Sequence, residues 1–174
     1  MKSLIRSGLL VIFTTAPSIA AAEGWTGFYA GGQFGTIETE MTYYGRTISE
    51  DSGTYGLIAG YNHSIGNKIV LGGELNVDKL NYTEMPFAHD LMTRRVKARL
   101  GYDLGSVLLY GTYGYSEIGD GTGENEDGTA VGFGLDYKVN DSLVLGAEWL
   151  RDSYEFEGIE MDITSLRIRL AYQF

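Results

Sequence analysis

The sequence predicts an all-β fold, an eight-stranded antiparallel β-barrel of the up-and-down type. Apolar and polar residues alternate with a period of two through almost every segment after residue 22, which is typical of strands with one apolar face. Short turns and longer polar connections alternate between these segments, as expected for the hairpins of a barrel. The composition fits a folded β protein: 25 of the 174 residues are glycine, 13 are tyrosine, and no cysteine is present to build disulfides or thiolate sites.

The first 22 residues have the three parts of a secretory signal peptide: a basic start, a short apolar run at 9–13 and three alanines before the cleavage point. The alternative is a transmembrane anchor. Such a helix needs about 20 apolar residues, whereas this segment has a shorter apolar stretch that is interrupted by Pro17. We therefore expect a cleaved signal peptide at 1–22 and a mature barrel over 23–174.

Each strand is justified by large apolar residues at every second position. In chain order the strands are predicted at 26–39, 54–63, 69–82, 92–103, 107–116, 129–138, 143–153 and 162–174. The apolar positions that define them are Phe28 and Phe34, Leu57 and Tyr61, Leu71 and Leu75, Val96 and Leu100, Leu109 and Tyr113, Val131 and Leu135, Leu145 and Trp149, and Leu166 and Leu170. The fifth strand is apolar on both faces, and there we favour Val107, Leu109, Tyr113 and Tyr115 on the apolar side.

The connections are of two kinds, which predicts a barrel with one plain and one elaborated end. Short turns rich in Gly, Asn, Asp and Ser are expected at 64–67, 104–106 and 139–142. Longer polar loops are expected at 41–53, 83–90, 117–128 and 154–161.

Four tyrosines recur in the same place, two positions after an apolar residue at the end of each even strand. They are Tyr61, Tyr102, Tyr137 and Tyr172. Tyrosine suits a membrane interface, because its ring is apolar while its hydroxyl group needs water or another polar partner. We expect these four residues to form an aromatic girdle at the short-turn end of the barrel.

Alternation alone fits two kinds of barrel. One is a transmembrane barrel with its apolar face outward, and the other is a soluble periplasmic barrel that holds an apolar ligand. Three features favour the membrane: the polar face is rich in glycine, an eight-stranded interior is just wide enough to be filled by side chains, and Phe174 ends the chain in phase with the apolar face.

Energetics then fix the charged residues inside the barrel. An Arg or Lys that faces lipid at mid-bilayer costs about 2–4 kcal/mol. We expect an interior network of Arg95, Lys97, Arg99, Arg167 and Arg169 with Glu74, Asp78, Asp136 and Glu148. It is either a plug that fills the barrel or the lining of a narrow channel for small solutes or ions, and the strand count favours the plug.

Both ends of the mature chain resemble a known family. The segment Trp25-Thr26-Gly27-Phe28-Tyr29-Ala30-Gly31-Gly32 resembles the opening strand of small Gram-negative outer-membrane barrels, and Leu170-Ala171-Tyr172-Gln173-Phe174 resembles their C-terminal insertion signal. The sequence is similar to the OmpA/OmpX-like and opacity-type surface antigens of the porin family. This resemblance implies an integral outer-membrane protein whose Phe174 is recognised by the barrel-assembly machinery. It also implies roles that range from membrane integrity to solute passage and adhesion to a host or surface ligand. We expect a monomer without the soluble peptidoglycan-binding domain of full OmpA proteins.

The long-loop end carries most of the negative charge, with 16 of the 23 acidic residues, Asp152 among them, against one base, Arg46. Such a rim repels anions and attracts cations or basic surfaces, although acidic loops also serve solubility. The net charge of −10 argues against nucleic acid as a partner. The spacing of acids in 117–128 does not match a calcium-binding EF-hand loop.

Three basic residues fall in the outward phase just below this rim: Lys79, Arg94 and Arg151. We expect them to emerge among the outer-leaflet head groups and to contact lipopolysaccharide phosphates. The alternative is that they only extend their charged ends to the interface.

Catalysis has little support in the sequence. His63 lies beside a short turn and His89 in a long loop, so this topology puts the two histidines at opposite ends of the barrel. A hydrolase would need its nucleophile, base and acid at one site. We expect no enzymatic activity, no cofactor and no metal site.

Overall fold

Eight strands pair in chain order and close into one antiparallel barrel, which confirms the predicted fold class. The strands are β1 (Gly27–Tyr43), β2 (Arg46–Gly66), β3 (Ile69–Asn81), β4 (Met92–Asp103), β5 (Val107–Gly119), β6 (Asn125–Lys138), β7 (Leu143–Phe156) and β8 (Ile159–Gln173). The computed structural model describes residues 24–43, 46–81, 91–119, 125–156 and 159–174. The expected signal peptide and the loop at 83–90 lie outside these ranges. No helix among the described residues is long and apolar enough to cross a membrane.

Three of the four long connections are shorter than the sequence analysis expected. The prediction of a loop at 41–53 is wrong, because β1 continues to Tyr43 and β2 already begins at Arg46. The same holds at 117–128 and 154–161, where β5 to β8 extend into the expected loops. Their many acidic residues suggested loops, but threonine, isoleucine and tyrosine between the acids suit strands well. The outer hairpins are therefore extensions of the barrel wall.

The strands are staggered around the barrel. The series of paired residues from Gly31 runs through Ile58, Asn76, Arg95, Ser116, Gly128, Tyr154 and Met161 to Met41. It thus returns to β1 ten residues beyond its start. A stagger of this kind accompanies a strand tilt of about 35–45°, and it brings side chains from distant parts of the sequence together in the interior.

The outer wall is apolar around the whole barrel. Leu57 is 70% exposed, Tyr113 65% and Phe133 62%, and every strand adds large apolar residues of the same phase. The phase favoured for β5 agrees with the structure, since Leu109, Tyr113 and Tyr115 are exposed while Leu108 and Tyr110 are buried. An apolar surface of this extent is typical of a lipid-facing wall.

The interior is built in three layers. At the short-turn end lies a cluster that we call the apolar floor: Trp25, Tyr29, Ile58, Val70, Leu108, Tyr110, Val144 and Ala171. At the other end lies the apolar roof: Ile37, Leu80, Ile118, Tyr154, Met161 and Ile163. The charged side chains lie between them, as β3 illustrates: Val70 belongs to the floor, Glu74 and Asp78 are charged, and Leu80 belongs to the roof.

Glycine makes room for the large interior side chains. Tyr29 pairs with Gly60 on β2, and a Cβ atom at Gly60 would lie 2.4 Å from the Tyr29 hydroxyl oxygen. Tyr110 pairs with Gly134 on β6, where a Cβ atom would lie 2.5 Å from the Tyr110 hydroxyl oxygen. Both distances are too short for any other residue, so the glycines allow these rings to lie flat across the neighbouring strand.

Candidate functional site

The most distinctive chemical feature of the barrel is its charge layer, in which the described residues include five cations and five anions, all at most 5% exposed. The cations are Arg95, Lys97, Arg99, Arg167 and Arg169, and the anions are Glu74, Asp78, Asp136, Glu148 and Asp152. The structure thus brings together all nine interior charges that the sequence analysis selected. Asp152 is the tenth, so the positive and negative charges of this layer are equal in number.

The half of the charge layer next to the floor is organised around two glutamates. Lys97 Nζ lies 3.0 Å from Glu74 Oε1 and 2.6 Å from Glu148 Oε1, so one ammonium group joins both carboxylates. Arg169 also joins them, donating to Glu74 and, at 2.5 Å, to Glu148 Oε2. Arg99 Nη2 donates to Asp136 Oδ2 at 2.6 Å. Each carboxylate is therefore held by charged donors from other strands.

Two tyrosines of the floor complete these bonds. The Tyr29 hydroxyl donates to Glu74 Oε2 at 2.7 Å and accepts from Arg99 at 2.6 Å. The Tyr110 hydroxyl donates to Glu148 Oε2 at 3.1 Å, and the Arg99 guanidinium stacks over the Tyr110 ring at 3.8 Å. The sequence analysis did not assign either tyrosine to the network. Their inward phase, opposite to that of Phe28 and Leu109, is the signal that identifies them.

The half of the charge layer next to the roof is organised around Arg95. Its Nε and Nη2 atoms donate to Asp152 at 2.7 and 2.6 Å, and its Nη1 atom donates to Asp78 at 2.5 Å. The sequence analysis counted Asp152 among the acids of the rim, which is wrong because this side chain is fully buried. Asp152 shares the phase of Glu148, and Arg151 between them points outward, so alternation along β7 places Asp152 inside.

Arg167 lies between the two halves of the charge layer. Its guanidinium is 3.8 Å from Asp78 Oδ2 and 3.8 Å from Glu148 Oε1, which is ion-pair range but too long for direct hydrogen bonds. None of its three guanidinium nitrogens has a hydrogen-bond acceptor within the described part of the chain. Arg167 thus compensates the charges of both halves without fixing their geometry.

The four girdle tyrosines all lie on the outer face near the short turns and are between 39% and 49% exposed. Two of them contact other aromatic rings: Tyr61 packs on Phe28 at 4.7 Å, and Tyr172 meets Phe174 edge-on at 5.1 Å. The Phe174 amide donates to the Phe28 carbonyl at 2.8 Å, so the end of β8 is fixed against β1 while the Phe174 ring remains outside.

The three outward basic residues do not form one cluster. Lys79 and Arg94 lie on the neighbouring strands β3 and β4, whereas Arg151 lies on β7, three strands further around the barrel. Both arginines form ion pairs with carboxylates of the protein: Arg94 Nη1 is 2.8 Å from Glu117 Oε1, and Arg151 Nη2 is 2.6 Å from Asp162 Oδ2. Any lipid phosphate would share these arginines with the protein's own acids.

The described outer hairpins carry an acidic rim. Its exposed members include Glu38, Glu40, Asp51, Glu126, Asp127, Glu155 and Glu160. Some acids face each other directly across strands, as Glu38 and Asp51 do. Like charges in such pairs repel each other, so the rim favours a cationic neighbour.

The two histidines do not form a site in the described structure. His63 is exposed beside the first short turn, and His89 lies outside the described residues. No group of three or more His, Cys, Asp or Glu side chains with metal-binding geometry occurs within the described ranges.

Comparisons with known proteins agree with this architecture. The family described as "outer membrane protein beta-barrel domain" matches residues 7–174. The 25 kDa outer-membrane immunogenic protein of Brucella ovis is 28% identical over 172 residues, covering 91% of this chain and 81% of that protein. A 22 kDa outer membrane protein of Rhizobium leguminosarum bv. viciae is 27% identical, covering 83% of this chain and 71% of that protein.

Among solved structures, Neisserial surface protein A has the same fold, with a TM-score of 0.55 at 16% identity, covering 87% of this chain and all of that one. Alternation alone also allows a soluble periplasmic barrel. The apolar outer wall and the outer-membrane relatives both disagree with this alternative. The chain belongs to the outer membrane protein beta-barrel domain family and is an integral surface barrel of the bacterial outer membrane.

Proposed function

We propose that this protein is a closed structural barrel that presents its acidic outer hairpins for surface interactions, and that it is neither a channel nor an enzyme. The observation that carries this proposal is the filled interior, in which a balanced charge layer lies between an apolar floor and an apolar roof. A transport path would need a continuous polar passage, and an apolar cluster lies across each end of the interior instead.

The packing of the charge layer supports closure. The cavity next to it, on the floor side, has a volume of about 10 Å³, which is room for about one water molecule. A hydrated ion could pass only by separating pairs such as Lys97–Glu148 and Arg169–Glu74. Leaving a buried charge without its partner costs about 3–5 kcal/mol. Because two such pairs would have to separate, thermal fluctuations would open the path only rarely.

Planar-bilayer recording tests the closed barrel. We expect the purified protein to give no stable openings under conditions in which a general porin conducts. Glu148→Gln is the informative variant, because Glu148 is the carboxylate shared by Lys97 and Arg169. Stable openings in the unmodified protein, with a conductance that Glu148→Gln changes, would refute the plug. They would support a narrow channel through the charge layer.

Lipopolysaccharide is the partner that we propose for the outward basic residues. Lys79, Arg94 and Arg151 emerge on the outer face, and arginine and lysine bind phosphate oxygens well. Replacing all three by Gln should reduce the lipopolysaccharide that co-purifies with the barrel. Lys68→Gln is the matched control, because Lys68 is exposed at the opposite, periplasmic end. Equal lipid retention in the triple variant and the control would contradict this proposal and favour the alternative, in which the three residues only extend their charged ends to the interface.

The barrel-assembly machinery is the partner that we propose for Phe174. The Phe174 ring is exposed, while its backbone already belongs to the β1–β8 seam. Phe174→Ala should therefore slow membrane insertion in cells and leave refolding of the purified protein into detergent nearly unchanged. Equal loss in both assays would assign Phe174 a role in stability and not in recognition.

A further inference from the structure

The cavity between the charge layer and the floor is lined by polar as well as apolar side chains, and the ion pairs do not account for all of its polar atoms. It is lined by residues from opposite sides of the barrel, including Trp25, Asn62, Arg99, Asp136, Arg169 and Gln173. The two arginines are at most 4% exposed. A cavity of about 10 Å³ that has charged and amide groups in its lining is suited to one small polar molecule.

Three buried polar atoms on the lining residues lack a hydrogen-bond partner within the described structure: Arg99 Nε, Arg169 Nε and Asn62 Oδ1. Two of them are donors and one is an acceptor. In addition, Arg169 Nε lies 4.0 Å from Asp136 Oδ1, which is too long for a direct hydrogen bond. A gap of this length between a donor and an acceptor is suited to a bridging molecule.

The chemistry of these atoms selects the occupant. The ligand must accept hydrogen bonds from two guanidinium N–H groups and donate to the Asn62 amide oxygen or the Asp136 carboxylate. The nearby guanidinium groups oppose a cation, and the Asp136 carboxylate opposes an anion. We propose that this cavity is a binding site for a single structural water molecule, which completes the hydrogen bonds of Arg99 and Arg169.

Trp25 closes this site on the periplasmic side. It precedes β1, yet its indole N–H reaches across the barrel mouth to Asp103 Oδ1 at 3.2 Å and to the Gly105 carbonyl at 3.1 Å. The Lys138 ammonium lies 5.1 Å from the centre of the Trp25 ring and also donates to the Gly24 carbonyl. Trp25 is only 1% exposed, so it acts as a lid that two periplasmic turns hold in place.

Water-to-protein cross-relaxation in the NMR spectrum of the full barrel in nanodiscs tests the site without a mutation. The Nε–H protons of Arg99 and Arg169 should show cross peaks to a long-lived water. The matched internal control is Arg95, which is equally buried but whose Nε donates to Asp152 at 2.7 Å. Absent cross peaks at Arg99 and Arg169, or cross peaks of equal strength at Arg95, would overturn the site.

The lid is tested by hydrogen exchange of the same protons. Trp25→Ala should accelerate exchange at Arg99 and Arg169 at least tenfold relative to Trp149→Ala, which removes the other tryptophan of the chain from the outer wall. Equal exchange in the two variants would refute the lid. The inference rests on the closed barrel proposed above, but the two fail separately, because conductance in the unmodified protein tests closure and cross-relaxation tests the water.

Discussion

Asp152→Asn is the substitution that examines the charge layer most sharply. It keeps the shape of the side chain and removes one of the five buried negative charges, which leaves the interior with an excess positive charge. Arg95 makes three charge-assisted hydrogen bonds, two to Asp152 and one to Asp78. The substitution weakens two of these three at a site that is fully buried.

The expected loss follows from these contacts. Hydrogen bonds to charged groups contribute about 1.5–3 kcal/mol each, and breaking a buried ion pair by removing one partner costs about 3–5 kcal/mol. We therefore expect Asp152→Asn to lower the free energy of unfolding by about 3–5 kcal/mol. Glu155→Gln is the matched control, because Glu155 lies on the same strand but is exposed, and it should change stability by less than about 0.5 kcal/mol.

Reversible urea unfolding in lipid vesicles, followed by tryptophan fluorescence and by heat-modifiable gel mobility, gives both values. The double variant Arg95→Met/Asp152→Asn should cost less than the sum of its single variants by about 1–3 kcal/mol, because it removes both charges of one pair. If Asp152→Asn is as mild as Glu155→Gln, or if the two single effects simply add, then Asp152 does not pair with Arg95 in the membrane.

Three further predictions concern other parts of the wall. Gly134→Ala should destabilise the barrel in the same unfolding assay, because its Cβ would lie 2.5 Å from an interior tyrosine hydroxyl. Gly111→Ala is the control and should have a small effect, because its Cβ would lie 3.9 Å from the nearest atom. Equal effects of the two substitutions would contradict the interior packing. Val96→Arg should cost about 2–4 kcal/mol in vesicles, and a negligible cost would contradict a lipid-facing position. Glu117→Gln should increase lipopolysaccharide retention by releasing Arg94 from its ion pair, and reduced retention would show that the pair itself positions the contact.

The two faces of the barrel could be predicted from the sequence because membrane insertion imposes a strict rule at every second residue. Arg95, Lys97 and Arg99 occupy alternate positions with apolar residues between them. Only the phase that turns these three residues inward keeps their charges out of the lipid. The same rule would have placed Asp152 inside. Asp152 nevertheless resembles a loop residue in the sequence, because many of the residues that follow it are acidic.

Other features depend on contacts that alternation does not encode. Trp25 bonds to residues 78 and 80 positions away, so its role as a lid depends on how the barrel closes. The pairing of Arg94 with Glu117 depends on the register between β4 and β5. The length of the outer hairpins is not evident from the sequence, because acidic residues in an exposed strand resemble those in a loop.

The orientation of the wall is the claim on which the charge layer, the floor and the proposed function all depend. Site-directed spin labelling measures it directly through collisions with oxygen, which is concentrated in lipid, and with a water-soluble nickel complex. Labels at Ala98 and Ile168 should collide mainly with oxygen, while labels at Lys97 and Arg169 should be shielded from the hydrocarbon. Aqueous surroundings at 98 and 168 together with hydrocarbon at 97 and 169 would contradict the account.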